Sequence, residues 1–194
     1  MNSYSQAKQD LFALKMTSYK KHGFYLEIGG SDPININNTY FLEKEYLWKG
    51  VSLELSQKHV NSYNDVRENK CLCQNALEAD YKSLLLLKNA PAQIDYLSID
   101  IEPAENTFKC FMSLPHDLYR FSVITFEHEF YHEGPAVRDA SRKFMSSLKY
   151  QIVVQDVKNC GNSYEDWYVD PFVIDKNTWE QVAASNIEYS YLNL

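Results

Sequence analysis

This sequence predicts an α/β chain: a mostly parallel seven-stranded sheet with helices on both faces and an antiparallel hairpin at its C-terminal edge. Three observations carry that prediction. Short runs of β-branched, aromatic and other apolar residues alternate with helical stretches, which is the pattern of βαβ units. The last two strand-like runs lie close together, joined by the turn-rich "KNCGNSYE", which pairs them antiparallel. The 194 residues suffice for one domain, 1–194, with a proper core.

The elements follow in order. "GFYLEIGG" is a short apolar strand ending in a glycine pair, and "TYFLEKEYLW" a charged, aromatic helix. "GVSLEL" is the second strand, followed by the polar helical "SQKHVNSYNDVREN". "KCLCQNAL" reads as the third strand and "DYKSLLLLKNA" as a helix with a leucine-rich face. "IDYLSIDIE" is the most strand-like run of all; Pro103 behind it suits the first position of helix "AENTFKCFMSL". "RFSVITFE" is the fifth strand and "AVRDASRKFMSSL" a helix. "YQIVVQDV" and "DWYVDPFVI" form the edge hairpin, and a last helix lies near "TWEQVAAS".

Composition narrows the function classes. A formal net charge of −7 with no lysine/arginine block argues against nucleic acid as a partner, because phosphate binding wants a basic stripe. The first residues lack an apolar signal core and no run reaches membrane-spanning length, so a cytoplasmic location is expected. Cys71, Cys73, Cys110 and Cys160 follow no paired metal spacing and read as reduced packing residues.

One motif invites a different reading. His128-Glu129-Phe130-Tyr131-His132 is a literal H-E-x-x-H, the string of zinc peptidases. Such a helix must run past both histidines so that they share one face. Here a β-rich run leads straight into His128, and Gly134-Pro135 stops any helix one turn past His132. The peptidase therefore stands as an alternative, beside a non-catalytic binding module.

Ligands of open α/β sheets bind outside the carboxyl ends of the strands. Acidic and small residues gather at those ends: "LEIGGSD", "SLEL", "SIDIE" and "TFEHE". The match of "GGSDPIN" to G-x-G-x-x-G is poor, which weakens a dinucleotide reading. Glu54 ends the second strand at about the distance from Gly30 at which a carboxylate takes ribose hydroxyls. Carboxylates beside a glycine turn repel pyrophosphate but suit a cationic cofactor such as S-adenosylmethionine.

The run "GFYLEIGGSDPININNTYFLEKEYLWKGVSLEL", with "IDYLSIDIEPAE", "SQAKQDLF" and "EDWYVDPF", resembles the FkbM-type S-adenosylmethionine-dependent methyltransferases. The similarity spans Ser5 to about Val173. It implies a Rossmann-like class I methyltransferase fold, with residues 1–22 closing over the cofactor. By resemblance, Glu27, Gly29, Gly30, Ser31 and Asp32 line the methionine portion, and Asn38 and Thr39 support that loop. Glu54 holds the ribose hydroxyls, Asn75 and Ala76 flank the adenine, and Gln6 closes from the N-terminal segment. Pro33 and Pro103 stand where the family usually has glycine.

A sugar hydroxyl is a poor nucleophile at neutral pH, so O-methyl transfer needs a base, a metal, or both. Asp100 and Glu102, two apart on a strand, are expected to share a face, with Glu127 and His128 ending the next strand. Asp100, Glu102 and His128 are thus the candidate catalytic residues, and Asp100, Glu127 and His128 the candidate ligands of a magnesium or manganese ion. Glu129, His132 and Glu133 would rim the acceptor pocket. The expected acceptor is a sugar or glycan, favoured by the resemblance and by Phe130, Tyr131, Trp167 and Tyr168. The chain could equally be one domain of a larger glycan-synthesis protein.

Overall fold

The computed structural model describes residues 2–194. Its strands are β1 (Phe24–Ile28), β2 (Lys49–Glu54), β3 (Cys71–Cys73), β4 (Gln93–Ile99), β5 (Arg120–Glu127), β6 (Gln151–Asn159), β7 (Asn162–Val169) and β8 (Ala184–Ser185). They form one sheet in the order β3-β2-β1-β4-β5-β7-β6-β8. β1 through β5 pair in parallel, and β7 lies antiparallel to both β5 and β6. The sheet has eight strands rather than seven, because the two-residue β8 adds to the outer side of β6. A segment this short carries no alternation that sequence patterning could detect. The hairpin also folds inward: its second strand, β7, inserts between β5 and β6, so β6 is not the neighbour of β5.

The helices are α1 (Gln9–Met16), α2 (Tyr40–Tyr46), α3 (Gln57–Val66), α4 (Tyr81–Leu87), α5 (Ala104–Ser113), α6 (Phe130–Glu133), α7 (Pro135–Ser147) and α8 (Lys176–Glu180). Side chains of successive strand residues point to opposite faces, and two cores result. Tyr25, Tyr96, Val123 and Trp167 share one core with Phe12, Leu14 and Met16 of α1 and Phe41 of α2. Leu26, Leu97, Ile124 and Phe126 share the other with Leu85 of α4, Phe111 of α5 and Met145 of α7. Each large buried side chain contributes about 1.5–3 kcal/mol by leaving water.

The "KCLCQNAL" run is strand only over Cys71–Cys73; Ala76–Glu78 is a 3₁₀ turn started by Asn75, whose Oδ1 accepts from Leu77 N–H. Pro103 stands one place before the first residue of α5, after a cis Glu102–Pro103 bond, rather than at the first helical position. All four cysteines are free, with Cys71 and Cys110 buried. Among the described residues no helix is long and apolar enough to cross a membrane.

Candidate functional site

The carboxyl ends of β1, β2 and β4 open onto a cleft of about 440 Å³, within the range of small-molecule sites. Gly29 makes the cleft possible. Its φ is +96°, and a Cβ built on it would lie 1.8 Å from the carbonyl oxygen of Asp100. Only glycine lets the β1 and β4 tips approach this closely. Gly29 and Gly30 both donate their N–H to the Leu53 carbonyl, at 2.9 and 3.1 Å, which folds the turn over β2.

Gly29, Ser31, Glu54, Asn75, Ala76, Asp100 and Glu102 border this cleft, as do Gln74 and His59, which sequence reasoning missed. Glu54 is set by two backbone donors: its Oε2 accepts from Ser31 N–H at 3.1 Å and its Oε1 from Ser56 N–H at 2.8 Å.

Glu27 does not border the cleft. It is 2% exposed and accepts from Thr39 Oγ1 (2.9 Å), Ser52 Oγ (2.6 Å) and Tyr63 O–H (2.8 Å). Burial pushes its carboxyl up, opposed by nearby Arg67 and these donors. Its place is beneath the Gly30 turn, as an anchor. Arg67, also 2% exposed, donates to Glu43, the Pro33 carbonyl, Asn37 Oδ1, Tyr25 Oη and Thr39 Oγ1. It also lies over the Tyr63 ring at 4.6 Å. Pro33 fits because the loop uses its carbonyl and not the N–H it lacks.

The loop's main brace is Asn37, unseen in the sequence. Its amide donates to the Gly30 and Asp32 carbonyls at 3.1 and 3.0 Å, while its Oδ1 accepts from Thr39 and Tyr40 N–H. Asn38 donates to Ser98 Oγ at 2.9 Å. Asp32 is exposed and accepts from Ile34 and Asn35 N–H of its own turn. Gly30, Asp32, Asn38 and Thr39 thus shape the loop without bordering the cleft.

Gln6 is exposed, and no described residue of the segment before Gly23 borders the cleft. That segment packs into the core through α1, so the expected closure over the cofactor is not what the structure has. Gln9, three residues on, is buried and donates to Glu165 Oε2 at 3.1 Å and Tyr164 Oη at 3.3 Å. The second glutamine of "SQAKQD" is therefore the one that reaches the strand ends.

Asp100 and Glu127 meet at the tips of β4 and β5. Burial raises both carboxyls, and Glu127 rises further because the Asp100 charge lies beside it. Two carboxyls this close hold one proton between them, with Glu127 donating to Asp100. Glu165, opposite Glu127 in the β5–β7 register, completes the group. Burial pushes it up to about 8, against the Trp167 indole N–H that donates to it.

His128 does not join these carboxyls. Successive strand residues face opposite ways, so when Glu127 turns toward Asp100, His128 turns the other way. It is fully buried, its Nδ1 accepts from Phe130 N–H at 3.2 Å, and its Nε2 lies 3.5 Å from Asp166 Oδ1. Burial would raise Asp166, but Arg142 and His128 outweigh it and hold the carboxyl below its usual range. Neither the catalytic role of His128 nor the Asp100–Glu127–His128 metal triad survives this geometry. Among the described residues, His128, Asp156 and Asp166 form the one group of three such donors within 4.8 Å. Arg142 already occupies it, at 2.7 Å from Asp166 and 3.0 Å from Asp156, and a guanidinium there repels a metal cation. A divalent ion does not fit this group.

The H-E-x-x-H string is broken: β5 ends at Glu127, Glu129 is left-handed at φ 44°, and α6 spans only Phe130–Glu133. His128 is buried against Asp166, whereas His132 lies on the surface, so the two share no helix face. Glu129 instead accepts from Ala104 N–H at 3.1 Å, satisfying a free donor at the start of α5.

A second cavity of about 460 Å³ is lined by Glu102, Pro103, Glu129, Tyr131, His132 and Glu133, and Glu102 borders both spaces. Of the four aromatics expected to stack on a sugar, only Tyr131 faces this cavity. Trp167 and Tyr168 are core, and Phe130 stacks under Arg138 at 4.2 Å.

The sheet order, the antiparallel β7 and the cleft over β1, β2 and β4 together define the α/β Rossmann-like methyltransferase fold of class I, extended by one short edge strand. No protein-family model matches the sequence, and no curated protein does. Solved structures do. An rRNA methylase from Streptococcus thermophilus superposes with a TM-score of 0.52 at 9% identity, over 82% of this chain and 93% of that one. An O-methyltransferase from Bacillus cereus in complex with SAH gives 0.55 at 18%, over 86% and 82%. The N-methyltransferase NodS from Bradyrhizobium japonicum gives 0.53 at 8%, over 84% and 95%. At such identities the likeness is one of fold.

Proposed function

We propose that this chain is an S-adenosylmethionine-dependent O-methyltransferase of the FkbM type, acting on a hydroxyl of a sugar or similar polyhydroxy acceptor. The observation that carries the reading is the pair of adjoining cavities. One lies in the glycine-turned cleft with Glu54 at its edge, where the fold holds its nucleoside ligands; the other is a polar cavity entered past Glu102. The SAH-bound Bacillus cereus protein of the same fold supports the choice of cofactor.

The cleft fits that cofactor: Gly29 leaves room for close backbone approach, and Glu54 offers carboxylate oxygens to vicinal hydroxyls. When bound, the cofactor supplies an electrophilic methyl group on a sulfonium. Asp100, bordering the cleft, would hold the proton given up by the acceptor hydroxyl when that hydroxyl is methylated. Burial raises the basicity of Asp100 toward the range a general base needs, against the hydrogen bond it accepts from Glu127. Glu102 positions the acceptor at the junction. Cytoplasmic residence is part of the same proposal.

Calorimetry with S-adenosylhomocysteine tests the reading. Binding in the micromolar range, weakened sharply by Glu54→Ala, is expected. Absence of heat with either the methylated or demethylated cofactor would remove the enzyme reading altogether.

A further inference from the structure

Resting on the cofactor reading, we infer that the N-terminal segment governs cofactor affinity from behind the cleft, through a hydrogen-bonded chain running from Asp10 to the glycine turn. Its links are Asp10, the Tyr4 backbone and Asn37, and none of them borders the cleft. Asp10 lies in the first turn of α1 and is fully buried. Its carboxylate gathers in the residues before the helix. Oδ1 accepts from Ser3 Oγ at 2.6 Å and Ser5 Oγ at 2.8 Å, and Oδ2 from Tyr4 N–H at 2.8 Å. Oδ1 also accepts from Leu11 N–H at 2.8 Å, which ties the gathered residues to the helix. Residues 3–5 lie outside helix and strand, so this one carboxylate fixes their path. A carboxylate only accepts, which suits a place where each partner donates.

The fixed segment faces the cofactor loop. The Tyr4 carbonyl accepts from Asn37 N–H at 3.1 Å, and the Tyr4 ring meets Tyr40, the first residue of α2, edge-on at 4.8 Å. Asn37 is 2% exposed, and its amide holds the Gly30 and Asp32 carbonyls. Between those two carbonyls stands Ser31, which borders the cleft, has a φ of 39° and donates its N–H to Glu54. A left-handed residue other than glycine persists only where its surroundings hold it. Losing the Tyr4 carbonyl strands the buried Asn37 N–H, and the loop shifts away from the form that aligns Ser31 with Glu54. A ligand must then reorder the loop, and its affinity falls by the fraction of molecules still in the competent form. The coupling is reciprocal: a cofactor that orders the loop also orders residues 3–5, which it does not touch.

The test is amide hydrogen exchange on the full chain, with and without S-adenosylhomocysteine, joined to calorimetry on two variants. S-adenosylhomocysteine is expected to slow exchange at Tyr4 and Ser5 as well as at Ser31 and Asn37, and to leave Lys158 and Asn186, at the far edge of the sheet, unaltered. Asp10→Ala is expected to weaken S-adenosylhomocysteine by about fivefold or more, measured well below its denaturant midpoint. Asp10→Asn, which keeps one acceptor oxygen, should recover part of that loss. Protection confined to the loop, with none at Tyr4 and Ser5, would overturn the inference, as would unchanged affinity in Asp10→Ala. Should Asp10→Ala fail to fold, exchange in the unsubstituted protein decides alone. Failure of S-adenosylhomocysteine to bind the unsubstituted protein would instead strike the cofactor reading beneath it.

Discussion

Gly29→Ala and Gly30→Ala, two substitutions one residue apart, should have opposite outcomes. At Gly29 the new methyl carbon would sit 1.8 Å from the Asp100 carbonyl oxygen, about 1.5 Å short of ordinary contact. The backbone cannot yield there at low cost, because Asp100 N–H is bonded to the Ile28 carbonyl at 3.0 Å and holds the β1 and β4 tips together. Forcing the positive φ on alanine adds ~1–2 kcal/mol, and the steric displacement adds ~1–3 kcal/mol. Together they destabilise the fold by roughly 2–5 kcal/mol. They also force apart the β1 and β4 tips that floor the cleft, so cofactor affinity should fall at least tenfold even under conditions where the variant stays folded. At Gly30 the new carbon meets Tyr63, Glu27 and Ser52 at 3.4–3.6 Å, all ordinary contacts, and the cost should stay below about 1 kcal/mol. Urea unfolding read by tryptophan fluorescence gives the stabilities, and calorimetry with S-adenosylhomocysteine the affinities. If Gly29→Ala keeps wild-type stability and binding, or if both variants lose equally, the close-approach argument is wrong.

Three further outcomes follow from the same geometry. Arg67→Ala strips the cation from a buried network that includes Glu27 and Glu43 and should cost ~3–5 kcal/mol; Arg67→Lys should recover only part, because one ammonium cannot replace a five-donor fork. A denaturant midpoint unchanged in Arg67→Ala would refute the anchoring role. Asp100→Asn should lower kcat at least a hundredfold with cofactor affinity nearly intact, whereas His128→Ala should cost ~2–4 kcal/mol of stability without a matching fall in kcat; a folded His128→Ala that is catalytically dead would reinstate His128. Glu165 keeps its proton in the folded state up to about pH 8 but in the unfolded chain only to the ordinary glutamate value of 4.5. Its contribution is therefore complete below about 4.5 and is lost as pH rises to about 8. Glu165→Gln, which can still accept from Trp167 and Gln9, should flatten that decline in urea midpoints measured from pH 5 to 8.5; an unaltered slope would contradict the raised carboxyl.

The sequence made the parallel half of the sheet legible because β1, β2, β4 and β5 are apolar runs bounded by turns and helices, and each matches its quoted segment closely. Glu54, Asn75, Ala76 and Asp100 were legible for a related reason: ligands of this topology gather at strand ends, and those residues sit there. What stayed hidden depended on which way a side chain turns. Glu27 and Glu54 both end a strand next to a glycine turn, yet Ser52, Thr39 and Tyr63 capture one, while the other keeps an edge on the cleft. Glu127 and His128 are neighbours in sequence, and for that reason they cannot act together. Glu165 was invisible because it belongs to β7, whose insertion beside β5 is a matter of sheet order rather than of local pattern.

That insertion explains why the site carries unbalanced charge. A parallel sixth strand would reach β5 only through a crossover, whereas the antiparallel β7 brings Glu165 back to the tip of β5 directly opposite Glu127. The next residue, Asp166, falls on the other face and is neutralised there by Arg142 from α7. One strand thus delivers two acids to two environments: one locked by a guanidinium, the other left among carboxyls with only Gln9 and Trp167 as neutral donors. Neutral donors satisfy the lone pairs of Glu165 without cancelling the field that Asp100 and Glu127 also feel. Replacing Gln9 by lysine would place a permanent cation at that point. It should lower the Glu165 carboxyl toward its ordinary range, while leaving the Glu54 side of the cleft undisturbed. If Gln9→Lys left the decline of urea midpoints between pH 5 and 8.5 unchanged, the lack of a cation at the strand tips would not be what keeps the Glu165 carboxyl raised, and this account of β7 would fail.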